Sequence, residues 1–123
     1  MTEREAARQR RRIERFWKKW RRTLGLDEWE TALNFNDGEY IQQDGEASGE
    51  AVASAHARWQ YRHASVSFNL ERVARLDEED LEQMVIHEAM HIILNEMREE
   101  GVKHEERVAS SLAFAFMRSR GNS

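Results

Sequence analysis

The sequence predicts an α+β fold in which one central helix is covered by two further helices and a small sheet. Three observations predict it. Residues 13–24 carry apolar side chains at helical spacing, residues 29–70 alternate with the period of strands, and residues 77–100 bear an apolar stripe too wide for a surface helix. At 123 residues the chain is expected to form one domain, burying about two thirds of the surface of its unfolded form in a single core.

The first helix rests on Ile13, Phe16, Trp17, Trp20 and Leu24, which recur at i, i+3, i+4, i+7 and i+11 and make one stripe. Gly25 follows where a helix C-terminal glycine is expected, so the helix occupies residues 1–24. From Trp29 to Asn36 the chain alternates, with Trp29, Thr31, Leu33 and Phe35 on one face, which reads as a strand. Asn36-Asp37-Gly38 is a turn, and the polar stretch from Glu39 to Gly49 is a loop or a frayed hairpin. A second strand, from Glu50 to Gln60, places Ala51, Ala53, Ala55 and Ala57 on one side before Trp59. A third follows the connection Tyr61-Arg62-His63, with Ala64, Val66, Phe68 and Leu70 on one face. The economical assembly of residues 29–70 is a three-stranded antiparallel meander.

The entry to the central helix is well marked. Asp77 can serve as N-cap with Asp80 three residues on. Leu76 and Leu81 have the spacing of a hydrophobic staple, and Glu78 and Glu79 favour the positive helix end. The helix should begin near Glu78 and run to Glu100, where Gly101 ends it. Its stripe is Leu81, Val85, Ile86, Ala89, Met90, Ile93, Leu94 and Met97. A last helix over 103–118 presents Val108, Leu112, Ala115 and Phe116.

Within the central helix, Met84 to Ile93 contains H-E-x-x-H. His87 and His91 lie one turn apart on one face and can reach a single cation, and Glu88 projects beside that site toward a water at the metal's open position. The flanking residues are uncharged and mostly apolar, and burying two imidazoles and a carboxylate unpaired among them costs several kcal/mol. A metal site therefore explains them better than a core helix with incidental histidines. The chain has no cysteine, which excludes disulfides, thiolate ligands and cysteine nucleophiles and leaves His, Asp and Glu as strong ligands. A third ligand is available from His104, Glu105 or Glu106, because helices joined by a short glycine turn pack side by side. Helix phase favours Glu105, which lies nearest the middle of the Val108/Leu112/Phe116 stripe.

Charge is uneven. Residues 1–24 hold ten Lys/Arg against three Glu, a net of +7, so the remaining 99 residues carry −11 to give the chain its −4. This stretch is either the solvated face of a packed helix, the simpler reading, or a nucleic-acid contact through residues 4–22 to which the triplet Arg10-Arg11-Arg12 would contribute. The N-terminal Met-Thr-Glu-Arg-Glu lacks the apolar core of a signal peptide, and no run approaches the roughly 18 apolar residues of a membrane span. A cytoplasmic protein with no membrane contact is expected.

Leu94 and Met97 stand where a metzincin needs Gly and His, and a peptide deformylase needs a cysteine. H-E-x-x-H followed by a glutamate on the next helix resembles the gluzincin branch of the zincin-like metallopeptidases. Glu106-Arg107-Val108-Ala109-Ser110-Ser111-Leu112-Ala113 looks like the E-x-x-A-[ND]-x-F-A segment of ImmA/IrrE-type peptidases. It is also similar to the E-E-x-V segment of small phage and prophage metallopeptidases, in which a basic helix and a short sheet precede the motif. Ser110 departs from the Asn or Asp common in relatives, and no proline follows the last helix. The resemblance implies a minimal zincin-like fold, Zn2+ held by His87, His91 and Glu106, and peptide-bond hydrolysis of a protein or peptide substrate. Glu88 is then the general base on zinc-bound water. For a donor to the oxyanion the sequence offers His56, Tyr61 and His63 as candidates, each of which reads more simply as a surface or strand-edge residue. Two other classes fit the residues: a zinc-stabilised regulatory domain that cleaves nothing, and a nucleic-acid-associated protein.

Overall fold

The computed structural model describes residues 1–36, 41–43, 46–48, 52–95 and 105–120. The expected turn at Asp37-Gly38, Ala51, Met97, the helix end at Glu100-Gly101 and the candidate ligand His104 lie outside them.

Helix α1 (Glu3–Thr23) opens with Thr2 as N-cap, whose hydroxyl accepts from Glu5 N at 3.1 Å. It closes at Gly25, which holds φ +74. Leu26 N bonds Arg21 O at 2.8 Å and Gly25 N bonds Arg22 O at 3.2 Å, the paired bonds of a Schellman motif. Leu26, 2% exposed, is the apolar anchor beyond the cap. The stripe read from the sequence is the buried face: Ile13, Trp17 and Trp20 are 0, 6 and 3% exposed.

The α+β class holds, but the sheet is mixed rather than an antiparallel meander. Its order is β1 (Glu30–Asn36), β5 (His63–Asn69), β4 (Ala53–Arg58), with β1 parallel to β5 and β4 antiparallel to it. A meander would have centred the alanine-rich strand. The centre is instead β5, whose Val66 and Phe68 are fully buried. The parallel partner is reachable because the stretch between β1 and β5 is long enough for a crossover. That stretch includes a small antiparallel hairpin, β2 (Ile41–Gln43) with β3 (Glu46–Ser48), which resolves the loop-or-hairpin alternative for this segment. Strand β4 takes an edge beside the central helix, and its small Ala53, Ala55 and Ala57 belong to the packed face. Strand β1 keeps its expected phase: Thr31, Leu33 and Phe35 are half-buried while Glu30, Ala32 and Asn34 are exposed.

Leu70 is buried as expected but begins a short helix, α2 (Leu70–Val73), rather than continuing the strand. Asn69 causes the switch: its side chain accepts from Arg72 N at 3.2 Å as an N-cap. Helix α3 (Glu78–Ile93) starts where expected, with Asp77 Oδ1 accepting from Asp80 N at 2.8 Å. It is continuous to Ile93, and after a one-residue turn at Leu94 the chain is helical again at Asn95. Leu94 is its C-cap, and Asn95 turns its side-chain oxygen to Trp59 N at 3.2 Å, tying the helix end to the end of β4. Ile93 is 42% exposed and Ile92 fully buried, so the stripe is shifted by one residue at this end.

Helix α4 (Glu105–Ser119) lies against α3. Its buried centre is Ala109, Ala113 and Met117; Val108, Leu112 and Phe116 flank it, and Ala115 is exposed. The two alanines, 0% exposed, let the helices approach closely. Helix α3 thus separates two apolar clusters. One, with α1 and the sheet, contains Leu81, Val85, Ala89 and Ile92; the other, with α1 and α4, contains Ile86, Met90 and Leu94. No helix among the described residues is long and apolar enough to cross a membrane.

Candidate metal centre

The one-turn spacing of His87 and His91 on α3 sets their rings 4.8 Å apart, with the two Nε2 atoms 3.1 Å from each other. The first turn of α4 closes over them. Glu106 presents one oxygen to each ring, Oε1 at 2.8 Å from His87 Nε2 and Oε2 at 2.8 Å from His91 Nε2. Among the described residues this is the one group of His, Asp and Glu side chains that could hold a metal ion, with its ligand atoms within 4.8 Å of one another. Ligands about 2.0–2.1 Å from a tetrahedral zinc lie about 3.3 Å apart, so the observed edges are short by a few tenths of an ångström.

The donor set is one that a cation could complete. Each Nε2 can donate to Glu106 only if protonated, and two protonated Nε2 atoms would then face each other at 3.1 Å. A central cation takes both lone pairs and a carboxylate oxygen together. The outer ring nitrogens have partners of their own: His91 Nδ1 lies 2.9 Å from Glu105 Oε1, and His87 Nδ1 lies 3.4 Å from Ser110 Oγ. With the proton on Nδ1, each ring turns its Nε2 lone pair inward, the arrangement common behind metal-binding histidines.

The adjacent glutamates therefore have different surroundings. The Glu105 side chain is 12% exposed and supports His91 from behind; that of Glu106 is 72% exposed and spans both imidazoles. Ser110 reaches His87. His56 and His63 belong to the face of the sheet opposite the Val66/Phe68 side, where they line an open cavity with Glu30, Arg58 and Ser65. His63 Nε2 pairs there with Glu30 at 2.9 Å, and Tyr61, 69% exposed, lies in the β4–β5 turn. The structure does not bring these three to the His87/His91/Glu106 group.

Glu88 is 3% exposed, and its Oε2 has no hydrogen-bond partner among the described residues. Burial raises its carboxyl from 4.5 to about 7, with His91 pulling it down and Glu106 pushing it up. Such a group takes and releases protons near neutrality. Burial holds His87 below its ordinary value, against the pull of the Glu106 carboxylate. Burial acts on His91 too, but the Glu105 hydrogen bond and the charges of Glu88, Glu106 and Glu105 outweigh it and raise His91.

Two polar residues that the sequence reading passed over also shape α3. Asn95 ties its C-terminal turn to Trp59 N. Glu82, 4% exposed, accepts from Trp20 Nε1 at 2.8 Å and Lys19 Nζ at 3.0 Å, and Arg120 Nε lies 3.4 Å away. A polar residue set beside buried apolar ones, Glu82 after Leu81 and one turn before Ile86, Asn95 after Leu94, is the signal both share. Compared with known proteins, the chain matches no family model, no curated protein and no solved structure.

Proposed function

We propose that the chain is a zinc-dependent peptidase with a minimal zincin-like fold, in which His87, His91 and Glu106 hold the metal and Glu88 moves the proton. The observation that carries this reading is the convergence of two Nε2 atoms and one carboxylate beside a buried, under-bonded glutamate one residue along the same helix. A structural metal has no use for Glu88, which costs stability where it is.

Held by His87, His91 and Glu106, zinc would supply a Lewis acid, lowering the pKa of a water toward about 7 and polarising a carbonyl. Glu88 takes the proton as the water attacks a scissile peptide carbonyl, and gives it to the departing amine as the C–N bond breaks. Glu105 and Ser110 hold the imidazoles in one orientation throughout, so neither ring has to reorganise during the reaction. The wide exposure of Glu106 leaves one side of the group open to a protein or peptide substrate.

The test pairs metal content with turnover of unfolded casein and a quenched-peptide library. One zinc per chain is expected in the wild type and in Glu88→Gln, with hydrolysis lost only in the variant. Undiminished cleavage by Glu88→Gln, or wild-type zinc content in His87→Ala/His91→Ala, would overturn the reading. Zinc bound by a wild type that cleaves neither substrate would favour a regulatory zinc domain.

A further inference from the structure

Ten of the chain's nineteen Lys and Arg lie on α1, and the structure divides them by task. Arg12 is a clamp: its guanidinium donates to Glu78 Oε1 and Leu76 O at 2.6 Å each and to Val73 O at 3.2 Å, joining α1 to the entry of α3. Lys19 serves Glu82, and Arg21 donates to Asp27 O. The triplet Arg10-Arg11-Arg12 is therefore not one patch.

A different set forms a line. Arg4, Arg8, Arg11, Arg15, Lys18 and Arg22 fall at i, i+4, i+7, i+11, i+14 and i+18, within about 40° of one direction at 100° per residue. That direction is opposite Ile13, Trp17 and Trp20, and all six are exposed. Arg15 pairs with Glu78 and Arg8 approaches Glu5 at 3.5 Å. Arg4, Arg11, Lys18 and Arg22 form no ion pair among the described residues. Like charges at i, i+4 repel, and solvation alone is served as well by mixed signs. A line of one sign about 27 Å long is complementary to an extended anion.

We propose that α1 docks lengthwise on the phosphodiester backbone of a nucleic-acid duplex through Arg4, Arg11, Lys18 and Arg22, with Arg8 and Arg15 alongside. A duplex carries one charge per about 1.7 Å of axis, so the line spans about 8 base pairs. The stripe holds no apolar side chain, and the apolar face of α1 is buried in the core, which leaves nothing to insert into a lipid surface. It also holds no Asn or Gln to read base edges, so binding is independent of sequence. The inference does not depend on the hydrolytic reading.

The test is fluorescence anisotropy of labelled 20-base-pair DNA and RNA duplexes of arbitrary sequence, titrated with the full chain across a potassium chloride series. Four phosphate contacts give a slope of log affinity against log salt of about −3.6. Arg4→Gln/Arg11→Gln/Lys18→Gln is expected to flatten it by about 2.7 and to weaken binding at least about tenfold at low salt. The same positions changed to lysine, or left as lysine, retain the slope, which separates charge from folding. Arg58→Gln/Arg75→Gln/Arg107→Gln, an equal charge change elsewhere, leaves it in place. A salt-independent affinity, an equal loss in both glutamine triples, or binding to phosphatidylserine vesicles without duplex binding would overturn the proposal. Binding to either duplex with the stated slope supports it, and the ratio of the two names the preferred one.

Discussion

Two glutamates on α3 are both nearly closed to solvent, yet they differ in depth and in partners. Glu82 is 4% exposed and Glu88 3%. Burial raises the Glu82 carboxyl, but hydrogen bonds from Lys19 and Trp20 and the charges of Lys19 and Arg120 outweigh it and leave it lowered. Glu88 has an orphaned oxygen and a carboxyl raised to about 7. Deeper burial of Glu88 comes first, and the neighbouring helix decides what offsets it. Helix α1, rich in cations and carrying an indole N–H, covers the first half of α3, whereas the second half meets α4, which brings acids. One carboxylate is satisfied and joins three elements; the other is left reactive. A buried polar group without partners costs stability, and in the proposed peptidase this cost is accepted at the group that moves the proton.

The sharpest break between the two should come from isosteric removal of charge. In zinc-loaded protein, Glu88→Gln is expected to lower peptide hydrolysis by about 10²–10⁴-fold, measured as turnover of a quenched peptide. The same change should not lower the urea midpoint of the metal-free protein, because no hydrogen bond to Oε2 is lost. Glu82→Gln should do the reverse, leaving zinc content intact and costing about 2 kcal/mol in urea unfolding as the charged acceptor of the buried Trp20 N–H disappears. Equal stability losses in the two variants would erase the distinction.

A second contrast lies between the adjacent acids of α4. Glu106→Gln is expected to weaken zinc binding by about 100-fold or more. Glu105→Gln, which acts through the His91 ring, should cost about tenfold; competition with a chromophoric chelator reads both. A larger loss in Glu105→Gln would exchange their roles.

The smallest effects are in pH. Because the folded-state pKa of Glu82 is depressed below 4.5, its stabilisation is present above 4.5 and lost as pH falls through the folded value. In the metal-free protein Glu88 has the opposite sign. Its folded pKa is raised from 4.5 to about 7, so its contribution is present below 4.5 and lost as pH rises through 7. Urea midpoints against pH should therefore lose part of the acid limb in Glu82→Gln and part of the decline between 4.5 and 7 in Glu88→Gln.

What the sequence determined by itself was local. The Asp77 cap, the Gly25 stop, the alternating face of β1, the stripe of α1 and the shared face of His87 and His91 all follow from periodicity and from bonds spanning a few residues. Those forces act before any tertiary contact exists. What the sequence left open depended on residues far apart in the chain. The parallel pairing of β1 with β5 was decided by which strand could bury Val66 and Phe68 between two neighbours. The break in α3 at Leu94 is followed at once by a long-range bond, from Trp59 N to the Asn95 side chain. Glu105 and Glu106 stand about 100° apart on one turn, and phase alone favoured the one that faces inward. Only the seating of α4 on α3, made close by Ala109 and Ala113, carries the more exposed Glu106 across both imidazoles and leaves Glu105 behind His91. No periodicity encodes that choice, because it is fixed by the rotation of one helix against another.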